Sequence, residues 1–272
     1  MLKLKVLLHT ALLLCLTSLS LAHATERDTK INAIMSETGF DKLMDHVPQF
    51  AQNTLKQSSG ALEPKVNSAL SQAFSQAFAS AAVRKDVLAL IQAHYDPKQA
   101  TAYLKQLQSP LAKKIAELER KTNTPESRND LSAFAQTLKN KPASAARLKQ
   151  IERLDKATRI TDFGVDMQAA FFKAVFTAVN PVMEDEMRVG NSEMEGMVKE
   201  VRDSFSSAYK ESTQLTYLYT FRNLSDPELE AYIKQCETSD YRWGVQLLGN
   251  AMISALNQAA DRASLLMSQN NQ

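Results

Sequence analysis

DPKQATAYLKQLQSPLAKK, residues Asp96–Lys114, decides the fold class, because it places two helix starts on either side of one amphipathic segment. Asp96-Pro97 and Ser109-Pro110 each set a side-chain oxygen directly before a proline. The oxygen accepts from free N–H groups of a first helical turn, and proline at the first helical position has no N–H to leave unsatisfied. Between the two starts, Ala100, Tyr103, Leu104 and Leu107 recur at helical spacing and define one apolar face, with Lys105 off it in solvent.

The same grammar runs through the chain. Thr124-Pro125 and Asp226-Pro227 repeat the cap-proline pairing, and Glu63-Pro64 is a looser version of it. Leu70, Phe74 and Phe78 fall at i, i+4, i+8, and Phe171, Phe172, Val175, Phe176 and Val179 form an aromatic stripe at helical period; both rows read as core. Only 7 glycines and 8 prolines occur in 272 residues, and strict apolar/polar alternation is scarce. These features predict an all-α protein.

The opening stretch has a partner. At an offset of 129, Ala102-Tyr103-Leu104-Lys105-Gln106 lies over Ala231-Tyr232-Ile233-Lys234-Gln235, provided one residue is skipped after the first Asp-Pro. Upstream, Thr38-Gly39-Phe40 echoes Thr161-Asp162-Phe163, each followed four residues on by a methionine, Met44 and Met167. A tandem duplication of a helical unit follows, giving two related lobes: residues 25–122 and 145–272, joined by a short, polar-ended helical connector at 123–144. In this reading the repeated tyrosines face the core, and the Lys-Gln pairs are solvated.

QLQSPLAKK behind its Asp-Pro helix, the degenerate second copy, and KPASAARLKQIERLDKATRITDF ahead of that copy together resemble a bacterial exported helical family, domain-of-unknown-function 2059. Ala112 stands where that family usually has glycine, and Ser239 where the second copy would have proline. The resemblance implies a periplasmic helical protein, and no particular activity, substrate or catalytic residue.

The N-terminus, MLKLKVLLHTALLLCLTSLSLAHA, reads as a secretory signal cleaved after Ala24. Lys3 and Lys5 precede an apolar run, and Ala22-His23-Ala24 forms the small-x-small site. The apolar run is too short and too interrupted to be a membrane anchor, and nothing after Ala24 is apolar for long enough to span a bilayer. Loss of Lys3 and Lys5 leaves the mature chain with equal numbers of bases and acids, so it lacks the positive field that nucleic-acid binding needs. Cys15 leaves with the signal. Cys236 then stands alone, which excludes an internal disulfide, and its spacing from Leu229, Tyr232 and Ile233 places it on an apolar helix face.

Catalytic and cofactor patterns are missing. His46 and His94 have no metal-ligand spacing, and no nucleophile elbow or glycine-rich phosphate loop occurs. Glu184-Asp185-Glu186 and Glu193-x-Glu195 read as solvated acids. The remaining chemistry is VMEDEMRVGNSEMEGMV, where Met183 and Met187, and then Met194 and Met197, supply soft thioethers suited to Cu(I), or else fill a core or line an apolar groove. The expectation is a non-catalytic periplasmic interaction module, adaptor- or chaperone-like, whose partner is an envelope protein, with no cofactor. The alternative is a small-ligand or Cu(I) carrier using those methionines.

Overall fold

A computed structural model describes residues 25–58, 63–122, 124 and 126–270; the signal sequence and the cleavage position at Ala24 lie outside the described residues. The described chain is 88% helical with 12 helices and no strands, so the protein is all-α. In order these are α1 (25–37), α2 (Phe40–Ser58), α3 (Pro64–Ala77), α4 (Ser80–Ala93), α5 (Pro97–Leu107), α6 (Pro110–Thr122), α7 (Ser127–Asn140), α8 (Ala145–Thr158), α9 (Ile160–Val179), α10 (Asn191–Thr220), α11 (Asp226–Cys236) and α12 (Ser239–Asn270).

Side-chain oxygens set several helix starts. Asp96 Oδ1 accepts from the backbone N–H of Lys98 and Gln99 at 2.9 and 2.8 Å, and Ser109 Oγ accepts from Ala112 N at 3.2 Å. Thr124 Oγ1 accepts from Ser127 N at 3.3 Å, but α7 begins only at Ser127, later than the Thr124-Pro125 pair predicts and with Glu126 in the cap position; Ser144, which the cap-proline pattern does not flag, caps α8 through Arg147 N at 3.1 Å. Asp226 is not the cap its neighbouring proline predicts. Ser225 takes that place, with its N–H and Oγ–H both donating to Glu228 Oε2, at 3.1 and 2.6 Å. Asp226 instead receives Arg147 at 2.8 Å, and the same guanidinium donates to the carbonyls of Phe221 and Leu224 just beyond the end of α10. With Ser225 opposite Asp96, the two segments match at an offset of 129 without a skipped residue.

Those two segments lie against each other. Gln106 Nε2 donates to Thr238 Oγ1 at 3.1 Å, Ser109 Oγ donates to Gln235 Oε1 at 3.3 Å, and Gln235 Nε2 donates to Gln106 O at 2.8 Å. Gln106 thus meets the counterpart of Ser109, while Gln235 meets Ser109 itself, the reciprocity of a local two-fold contact. The upstream echo falls in a different register. The helix junctions equivalent in geometry are Thr38-Gly39 and Thr158-Arg159, where Gly39 and Arg159 have φ of 68° and 55°. Thr38 donates to the Ile34 carbonyl at 2.8 Å and Thr158 to the Leu154 carbonyl at 2.9 Å. Thr161, paired with Thr38 by sequence, lies inside α9.

The residues assigned to two lobes share one core. α12 packs on α9 and also on α3, α4 and α5, and Arg262 near its end donates to Asp86 and to the Ala77 carbonyl, at 2.5 and 3.0 Å. The connector region carries α7, a 14-residue helix packed on α10, where Phe134 meets Tyr219 at 5.5 Å. Leu70, Phe74 and Phe78 are fully buried, as their spacing requires. The aromatic stripe of α9 divides: Phe171, Val175 and Val179 enter the core, whereas Phe172 and Phe176 are half-buried on its flank and stack on each other at 4.8 Å.

Tyr103 anchors the junction between α5 and α12. Its ring is 2% exposed and meets Tyr241 edge to face at 5.4 Å, and a Cβ added at Gly244 would stand 2.2 Å from its Cε1. Gly244→Ala gains about 1 kcal/mol of helix propensity but overpacks a closed site, which costs about 1–3 kcal/mol. Gly196, inside α10, has open space around its missing Cβ. Denaturant unfolding should therefore show Gly244→Ala less stable than the parent and Gly196→Ala more stable by about 0.5–1 kcal/mol.

Candidate functional site

The two geometrically similar helix junctions also border a cavity. The turns at Thr38-Gly39 and Thr158-Arg159 approach α5, α6, α10, α11 and α12 around a cavity of about 310 Å³. Tyr103, Tyr217, Tyr232 and Tyr241 contribute to its wall, with Phe40, Leu43, Ile115 and Phe163 beside them. Gln246 and Asn250 of α12 and Arg159 add polar edges. Cavities of a few hundred Å³, mostly apolar with a few convergent polar groups, are the usual form of small-molecule sites.

Glu119 is the group that stands out. It follows Ala112 and Ile115 on the inner face of α6, and its carboxylate has no hydrogen-bond or ion-pair partner among the described residues. The residue is exposed through the open side of the cavity, while protein packs around its carboxylate on the other sides. This loss of bulk solvent pushes its carboxyl up to about 7. The other charges at the cavity differ. Arg159 pairs with Asp162 at 3.4 Å, Asp166 is engaged by Arg202, and Glu37 accepts only from Gln108, at 3.4 Å.

Burial also governs the hydroxyls and the thiol. Tyr217 OH lies 2.9 Å from Thr158 Oγ1, whose proton is directed to the Leu154 carbonyl, so the tyrosine donates. Tyr232 and Tyr241 bring their hydroxyls within 3.4 Å of each other and hydrogen-bond Cys236. Desolvation raises all four tyrosines of the wall and pushes the Cys236 thiol up to about 12, so the sulfur is a protonated, inert occupant of the core. Cys236 is fully buried, as its helical spacing predicts, and it is the single, unpaired cysteine among the described residues.

The methionine segment is placed elsewhere. Asn180 ties its base, donating to Val189 O at 3.0 Å and accepting from Val189 N at 2.8 Å, which folds 181–189 into a closed loop. Met183 is half-buried against the core, Met194 is 7% exposed and Met197 is half-buried; the side chain of Met187 lies outside the described residues. Met183, Met194 and Met197 do not line the cavity. Glu184, Asp185, Glu186, Glu193 and Glu195 are exposed, and so are His46, His94, Lys105 and Lys234. Among the described residues no cluster of three or more His, Cys, Asp or Glu has the geometry of a metal site. No helix among them is long and apolar enough to cross a membrane.

Sequence reading finds Tyr103 and Tyr232 as buried residues but misses their convergence, and it misses Glu119, Tyr217, Tyr241 and Arg159. Only Glu119 carries a local signal, a carboxylate in register with the apolar stripe of α6. No family model, no curated protein and no solved structure matches the chain.

The raised carboxyl makes stability fall with pH. Between about 4.5 and about 7 the unfolded chain ionises Glu119 while the folded chain keeps its proton, so the unfolded state binds fewer protons and folding weakens as pH rises. Tyr217, Tyr232 and Cys236 stay neutral throughout this window. Urea titrations should place Glu119→Gln level with the parent near pH 4, and progressively more stable than it from pH 5 to 8.

Proposed function

We propose that this is a non-catalytic, exported, periplasmic helical protein that binds a small organic molecule in the cavity between its two related halves. The observation that carries the reading is a half-open, tyrosine-lined cavity whose wall carries a carboxylate, that of Glu119, with no partner among the described residues. A buried polar group without a partner costs free energy, and a ligand that supplies the partner recovers it. Histidine, lysine and cysteine are absent from the lining, and the nearby thiol is held protonated, which supports binding rather than catalysis. The matching caps, junctions and reciprocal glutamine contacts support a duplicated unit whose two copies meet at the site.

Ligand-induced thermal stabilisation tests this reading. A screen of small metabolites should yield compounds that raise the melting temperature, since a ligand at 100 times its Kd stabilises by about 2.7 kcal/mol. Ala116→Phe, which fills the cavity from α6 at a position with accessible surface, should abolish the effect. Failure of every compound to bind, or binding that persists unchanged in Ala116→Phe, rules the cavity out.

A second reading, an interaction surface for an envelope protein, is favoured by one observation. An open groove between α2, α9 and α10 is lined by Phe50, Met167, Phe171 and Tyr209, with Phe50 and Ile160 41% and 43% exposed. In-cell cross-linking of the periplasmic form, whose first residue should be Thr25, is expected to capture a specific protein that Phe50→Asp loses. Equal capture by that variant argues against the groove.

A further inference from the structure

Granting the cavity as a ligand site, its charge and its walls select a class of ligand. We infer that the ligand is an organic cation, an ammonium group on an apolar body, held by the Glu119 carboxylate among the tyrosine rings.

Charge is the first argument. The cavity presents three acids, Glu37, Glu119 and Asp166, against one base, Arg159. Asp166 is neutralised from outside by Arg202, and Arg159 by Asp162. What remains is Glu37 at one junction and Glu119 inside, both without a cationic partner among the described residues. An anionic ligand would meet unbalanced negative charge and a single arginine already engaged. A cation supplies the missing counter-charge, and protein on one side of the pair screens it less than bulk water would.

Aromatic walls are the second argument. Tyrosine rings carry a negative face, and a cation within about 6 Å of a ring centroid is attracted to it, the basis of the aromatic cages that bind quaternary ammonium groups. Tyr103 and Tyr241 meet at 85°, so these rings form a corner rather than a flat floor, and Tyr217 and Tyr232 add to the same lining. The phenolic protons of Tyr217, Tyr232 and Tyr241 are already engaged with Thr158, with each other or with Cys236. Tyr103, Tyr232 and Tyr241 are 2%, 7% and 8% exposed and form the floor, so the half-buried Tyr217 ring presents most of the π surface, which suits an alkylated ammonium better than a hydroxyl-rich neutral compound. Ile115, Leu43 and Phe163 accept the apolar body.

An isosteric series separates charge from shape. Choline, its neutral analogue 3,3-dimethyl-1-butanol and the anion 3,3-dimethylbutanoate have similar bulk, and benzyltrimethylammonium extends the apolar body. Trp243 is the only tryptophan in the chain, and its ring lies 6.5 Å from that of Tyr103, so its emission reports on the cavity. Titration of the full mature chain at pH 7.5 should show both ammonium compounds binding at least tenfold more tightly than the alcohol and the acid. Glu119→Gln should weaken the ammonium compounds about tenfold and leave the alcohol within twofold, and Ala116→Phe should remove all binding. Neutral or anionic compounds that bind as tightly as the cations, and are lost in Ala116→Phe, overturn the cation and leave the cavity reading standing. If no compound of any charge binds, both fall.

Discussion

Close approach along α12 is the constraint on which the rest of the structure depends. Ala251, Ala255, Ala259 and Ala263 recur every four residues on this helix and are 4%, 0%, 0% and 0% exposed. Ala170, Ala174 and Ala178 make a similar buried row on α9, its main neighbour. Small side chains let helix axes come close, so a single 32-residue helix can touch α9 as well as α3, α4 and α5. Larger residues in that row would push the first half of the chain away from the second. The core would then divide, and the contact around Gln106 and Gln235 would open.

The cavity follows from the same geometry. Where α12 begins, its alanines give way to Tyr241 and Trp243 around Gly244, and Tyr103 from α5 packs into the gap that Gly244 leaves. Four tyrosines brought together from α5, α10, α11 and α12 are too rigid to close on one another completely, and two helix junctions with left-handed residues turn the chain around the space that remains. Glu119 enters it from α6. A carboxylate without a counter-charge in such a place lowers stability at neutral pH, and natural proteins tolerate local costs of this kind chiefly where function needs them.

Helix positions were largely legible along the chain because they rest on local physics. A cap accepts from residues two or three ahead, proline restricts its own φ, and an apolar stripe repeats within a turn, so Asp96, Ser109 and the Leu70-Phe74-Phe78 row could be read in isolation. The exception is instructive. Asp226 precedes a proline and still does not cap, because Ser225 has Glu228 three residues on to complete a reciprocal pair, while Asp226 finds Arg147 from a helix far away in sequence. Phe172 and Phe176 were likewise misplaced, since periodicity shows that a helix has an apolar side but not how much of that side a neighbour will cover.

By itself, then, the sequence determined the all-helical class, several helix starts, the burial of Cys236 and the matching of two segments 129 residues apart, all of which depend on interactions within a few residues or on direct comparison. Tertiary structure alone decided that the matched segments touch through equivalent residues, that both halves share α12, and that four tyrosines and one unpaired carboxylate surround a common space. Met183, Met194 and Met197, which looked chemically suggestive in sequence, lie outside that cavity. The physical reason is distance along the chain: Glu119, Tyr217 and Tyr241 come from three helices, and no local rule relates side chains whose proximity is set only by how those helices pack.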